Sequence, residues 1–68
     1  MSKYEPLWQY IKTNDVSILS FEKIKEILGF DIDHSFLTYK KELKEYGYEV
    51  CKISMKEKIV TIKMLLNN

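Results

Sequence analysis

The chain has 68 residues, 46% of them hydrophobic and 31% charged, with two glycines, one proline, one cysteine and one histidine. A chain this short holds one small core covering about 60% of its unfolded surface, and this composition excludes a disordered tail, a disulfide framework and a zinc site closed within one chain. The net charge of +1 is unevenly spread, since residues 1–33 carry four lysines against six acids and residues 34–68 seven lysines against four, and there is no arginine to read guanine bidentately.

No repeat, low-complexity tract or linker divides the sequence, so residues 1–68 read as a single domain. Tyr4, Leu7, Trp8 and Ile11 recur at helical spacing and predict a first helix from about Tyr4 to Lys12. Pro6 is tolerated only in a first turn, which sets the start near Glu5, and Thr13, Asn14 and Asp15 end the helix. Val16 to Leu19, a short run with two β-branched residues, suits a brief strand. Ser20 is the expected cap of a second helix, with Glu22 in its first turn and Phe21, Ile24, Ile27 and Leu28 as its buried stripe. Gly29 can take the left-handed conformation that stops this helix, with Phe30 folding back on Ile24.

Asp31, Ile32 and Asp33 form the next turn, and Asp33 is the expected cap of a third helix. Phe36, Tyr39, Leu43 and Tyr46 make one inward face of that helix, with Leu37 at its margin. Ser35, Thr38, Lys41, Glu42 and Glu45 face away, Lys40 and Lys44 flank them, and Gly47 closes the helix. From Tyr48 the period changes to two. With Lys56 and Glu57 as the loop, Ile53 opposes Val60 and Cys51 opposes Ile62, which predicts an antiparallel hairpin with Cys51 as a small buried hydrophobe. Met64, Leu65 and Leu66 extend the last strand to pair with Val16 to Leu19, and Asn67 and Asn68 fray. The expected fold class is α+β, three short helices with a small antiparallel sheet formed by the short strand and the C-terminal hairpin.

This element order resembles the winged helix-turn-helix, and the resemblance implies that the third helix and the hairpin form a nucleic-acid face. Separately, YEPLWQYI followed by LSFEKIKEILGF resembles the opening of a small bacterial family of uncharacterised domains carrying Leu-Trp-x-Tyr and Phe-x-x-Ile-x-x-Ile-Leu-Gly stretches. It spans roughly the first half; the Lys-rich third helix departs from that family's Trp- and Arg-rich continuation. No activity comes with this second resemblance.

Two functional readings follow, both of a non-enzymatic binding module. In the first the partner is duplex DNA: Ser35, Thr38 and Lys41 reach base edges, Lys40 and Lys44 flank phosphates, and Lys56 and Lys58 on the wing contact the adjacent backbone. Glu42 and Glu45 on the same face repel phosphate, and the plainer reading of that face is a solvated helix surface. In the second reading Trp8, Tyr10, Tyr48 and Ile59 form an exposed apolar patch that binds another protein or a second copy of the chain, while the other aromatics are core.

Catalysis finds no support, because His34 is the sole imidazole and no nucleophile stands at a fixed spacing from it. Asp31 and Asp33 read as capping residues rather than cation ligands, and neither glycine lies in a phosphate-cradling pattern. No catalytic residue, metal, cofactor or small-molecule substrate is therefore expected. The stretch MSKYEPLWQY lacks a signal pattern and no apolar run approaches the ~18 residues that span a bilayer, so the expected location is the cytoplasm, with no membrane partner.

Overall fold

Pro6 stands in the first turn of α1 (Glu5–Asn14), where its missing N–H has no helical partner to lose, in a computed structural model that describes residues 3–65. The Leu7 and Trp8 N–H groups both donate to the Tyr4 carbonyl, at 2.9 and 3.1 Å; the Trp8 bond is the first regular one of the helix, and the Leu7 bond takes up a donor the helix start leaves open. The stripe expected from the spacing is the heart of the core, since Tyr4, Leu7, Trp8 and Ile11 are all buried. The helix runs on to Asn14 and ends where Asp15 turns left-handed at φ 51° and donates its N–H to the Ile11 carbonyl.

β1 (Ile18–Ser20) leads straight into α2 (Phe21–Leu28). Ser20 caps α2 as expected, its hydroxyl accepting the Lys23 N–H at 3.0 Å. Gly29, at φ 85°, closes the helix with its N–H on the Lys25 carbonyl. Ile24 is buried, and Phe21, Ile27, Leu28 and Phe30 pack half-buried against the core. Phe30 meets the Tyr4 ring edge-on at 6.0 Å.

The third helix is not one regular rod. An α-helical turn, α3 (Ser35–Tyr39), passes into a 3-10 helix over Lys40–Tyr46. Three residues per turn stack Lys40, Leu43 and Tyr46 in one column. Leu43 is therefore buried, Lys40 and Tyr46 are drawn to half-burial, and Tyr39, expected inward, stays 39% exposed. Gly47, left-handed at φ 88°, ends the segment with its N–H on the Leu43 and Lys44 carbonyls.

The sheet is antiparallel, in the order β1-β3-β2, with β2 spanning Tyr48–Ser54 and β3 Ile59–Met64. Ile53 opposes Val60 as expected, but Val50, not Cys51, opposes Ile62. A bulge between Val50 and Lys52 takes Cys51 out of the ladder and leaves it exposed. The physical reason is visible in the burial. Strict alternation would turn Tyr48 and Val50 away from the face that holds Ile53, and one inserted residue lets all three face inward.

β1 pairs with the first half of β3, Ile18 to Thr61, Leu19 to Val60 and Ser20 to Ile59, rather than with Met64 and Leu65. The Leu65 N–H is bonded instead to the Gly47 carbonyl at 2.9 Å; Leu66, Asn67 and Asn68 lie outside the described residues. The result is an α+β fold with three helices and a three-stranded antiparallel sheet among the described residues. Leu19, Val50, Val60 and Ile62 form the sheet's side of the core, facing Trp8, Ile24, Phe36 and Leu43 from the helices. No helix among the described residues is long and apolar enough to cross a membrane.

Candidate nucleic-acid interface

The third helix is fastened at its beginning by a set of polar contacts. Asp33 Oδ1 accepts the Ser35 backbone N–H at 2.9 Å and the Ser35 hydroxyl at 2.5 Å, and the Phe36 N–H donates to the Asp33 carbonyl at 3.0 Å. The N-cap is His34, without a side-chain cap bond, and not Asp33 as expected; Asp33 stands one residue before it and accepts the first helical N–H, that of Ser35. The Tyr4 hydroxyl lies 2.8 Å from Ser35 Oγ, and Lys3 Nζ lies 3.4 Å from Asp33 Oδ2. The Ser35 hydroxyl bond, then its backbone N–H, then the Lys3 ammonium hold the Asp33 carboxyl well below the usual carboxylate range. The Ser35 hydroxyl, expected to reach a base edge, is thus engaged by Asp33 and Tyr4 within the chain. Asp31 pairs with Lys25 at 3.6 Å, and no cluster of metal-ligating side chains occurs among the described residues.

Farther along, the faces also differ from a regular helix. Glu42 is turned inward, where its Oε1 accepts the Trp8 indole N–H at 3.0 Å. One of the two acids expected to oppose a phosphate is thus engaged by the core, while Glu45 remains exposed. Lys41 and Lys44, three residues apart, share an exposed 3-10 column, and Thr38 is exposed on the turn before them. Lys40, Lys41 and Lys44 line a cleft of about 110 Å³ with Glu49 and Val50 of β2. Glu49 bridges two lysines there, Oε2 to Lys44 and Oε1 to Lys63, each at 3.4 Å. Those two ammonium groups, Lys63 first, lower the Glu49 carboxyl below its ordinary value.

Lys63 had no part in the sequence reading. Its meeting with Glu49 depends on the bulge, because an unbroken register from the Ile53–Val60 pair would set Met64 opposite Glu49. The signal that could have located this pair is the change of phase in the apolar positions, Tyr48 and Val50 against Ile53, which a strictly alternating hairpin passes over.

Lys56 and Lys58 are exposed in the loop Met55–Lys58, as expected of a hairpin tip. The loop is longer than the two residues expected, closing after the Ser54–Ile59 pair, with Lys58 left-handed at φ 56° and Ser54 Oγ accepting the Glu57 N–H at 3.1 Å. The Lys58 carbonyl accepts the Phe21 N–H at 2.9 Å, so the tip is fastened to the start of α2. Between α3 and the hairpin lies a second depression of about 280 Å³, lined by Ile32, Phe36, Leu37, Ile53 and Met55 together with Asp33 and His34. The lysines singled out for phosphate accordingly stand apart, Lys40, Lys41 and Lys44 at the cleft with Lys63 beside them and Lys56 and Lys58 at the hairpin tip, with apolar lining between α3 and the hairpin.

The expected protein-binding patch is not assembled. Trp8 is 1% exposed and Tyr48 8%, both in the core. The Tyr48 hydroxyl donates to Asp15 Oδ1 at 2.9 Å, a contact that raises its pKa and joins β2 to the end of α1. Tyr10 is half-buried, with Lys23 Nζ 5.5 Å from its ring centre, and Ile59 is half-buried on β3. Trp8 is buried as its place on the inward stripe of α1 requires, and Tyr48, which fits no stripe, is drawn in because a 68-residue domain needs its largest side chains inside to make a core at all. The large hydrophobics that are exposed, Leu37 at 55% and Met55 at 73% among them, were not singled out by their spacing. Compared with protein-family models, with curated proteins and with solved structures, the chain matches none of them.

Proposed function

We propose that this chain is a non-enzymatic, winged-helix-like binding module of the bacterial cytoplasm whose partner is duplex DNA. The observation that carries this reading is the charge imbalance where the 3-10 segment meets the hairpin: Lys40, Lys41 and Lys44 border a cleft with Glu49, which Lys63 of β3 also pairs, while Glu42 is held inward by Trp8 and Glu45 is left as the exposed acid of the segment. Lys41 and Lys44 would meet phosphates on one strand and Lys56 and Lys58 those farther along, with Thr38 facing the groove. The order β1-β3-β2 with a preceding helix pair is compatible with that placement. Lysines contact phosphate as mobile point charges and there is no arginine, so the binding is weakly selective for sequence and strongly dependent on salt. The test is affinity for a duplex measured against salt concentration, with Lys41→Glu/Lys44→Glu as the variant. Loss of binding in that variant is expected; unchanged binding would overturn the reading.

A second reading, association of two copies without nucleic acid, is favoured by the apolar depression between α3 and the hairpin. Leu37 and Met55 are both exposed and both line it, so a two-fold contact could set these residues of each copy into the depression of the other. A sedimentation weight that rises with concentration and reverts in Leu37→Asp would favour this reading; a constant monomer weight would remove it.

A further inference from the structure

Within the cleft beside β2 the charges do not balance. Lys40 and Lys41 form no ion pair among the described residues, while Lys44 and Lys63 both lean on the two oxygens of Glu49. The Glu49 side chain is 31% exposed and the two lysines are 56% and 58% exposed, so the pairs sit at the rim rather than in the core. Ion pairs so exposed are weak and can be exchanged for another anion at little cost. The space of about 110 Å³ that the lysines border has room for a few water molecules at about 30 Å³ each.

We infer that Glu49 is an internal competitor for nucleic-acid phosphate: its carboxylate holds the position between Lys44 and Lys63 that a backbone phosphate occupies in the complex. This rests on the duplex-binding reading and deepens it, assigning a specific phosphate subsite to Lys40, Lys41, Lys44 and Lys63. On binding, the carboxylate swings out and the phosphate oxygens take over the two ammonium groups. No bond is made or broken. Glu49 thereby weakens all binding at this subsite, keeping the domain from resting on any polyanion it meets.

The experiment compares the wild-type chain, Glu49→Gln, Glu26→Gln and Lys41→Glu/Lys44→Glu on a labelled duplex of about 20 base pairs, two helical turns, across a range of salt. Glu26 is exposed on α2, so its variant makes the same change in net charge away from the cleft. One additional counterion released steepens the slope of log K against log salt by about 0.9, an affinity gain of about eightfold at about 0.1 M. Glu49→Gln should show that gain and that steeper slope, and Glu26→Gln less than about a twofold change in affinity. If wild type binds and the double lysine variant does not, but Glu49→Gln matches Glu26→Gln, the competitor role is overturned and the duplex reading stands. If neither wild type nor Glu49→Gln binds, the duplex reading fails and takes this inference with it. A folded Glu49→Gln is verified by a melting temperature close to that of wild type.

Discussion

The two ends of the third helix are built on opposite terms. At its start Asp33 and Ser35 are answered within the chain, Asp33 by Ser35 and Lys3, and Ser35 by Asp33 and Tyr4, around the ring of Phe36, which lies edge-on to Tyr4 at 5.5 Å. At its end Lys44 and Lys63 share the Glu49 carboxylate, and Lys40 and Lys41 border the same cleft without an ion pair among the described residues. Polar groups that satisfy one another hold a fold; charges left in excess are available to something else. Changes at the first end should cost stability, and changes at the second should cost binding.

The largest expected effect is at the core that the first end closes over. Trp8→Ala removes a buried indole and leaves the Glu42 carboxylate without that donor, a loss of about 3–5 kcal/mol. A 68-residue domain has only about 3–10 kcal/mol in total, so chemical denaturation should find this variant largely unfolded. A stable, binding-competent Trp8→Ala protein would break the division between the two ends. Next comes Lys41→Glu/Lys44→Glu, which should abolish duplex binding yet shift stability by no more than about 0.5 kcal/mol, as exposed substitutions do. If it unfolds the domain instead, the 3-10 segment is structural as well. Ser35→Ala removes the hydroxyl on Asp33 and Tyr4 and should lower unfolding free energy by about 1 kcal/mol with duplex affinity unchanged.

The smallest effect is on pH dependence. Asp33 and Glu49 are both held below their ordinary values, so each favours the folded state fully above the unfolded carboxylate range and loses that contribution as pH falls. Wild-type melting temperature should therefore drop between about pH 5 and about pH 2. In Asp33→Asn, which can still accept from Ser35, that drop should be shallower. An equal drop in both proteins would mean that the Asp33 contacts do not persist in solution.

The frame of this molecule was legible because its local signals are strong ones. Pro6, Ser20, Gly29 and Gly47 act where their own chemistry places them, and the period-two segment after Tyr48 is a hairpin. What the sequence hid were departures from regularity. The passage from α to 3-10 at Lys40 changes which side chains share a face, turning Glu42 in and Tyr39 partly out. The bulge at Cys51 shifts the register by one, and with it the partner of Glu49. Both are tertiary choices that let Leu43, Val50 and Ile53 face one core; the bulge is marked only by the change of phase between Val50 and Ile53, and the 3-10 passage has no such mark. The candidate lysines were found by type; their gathering around Glu49 was not.

The central claim, that the excess charge at the end of the third helix is there for phosphate, is tested most directly by the affinity of the wild-type chain for a random-sequence duplex as salt is raised. Four to five phosphate contacts predict a straight line of log K against log salt with a slope of about −4. No binding at low salt, or a line without slope, would contradict it.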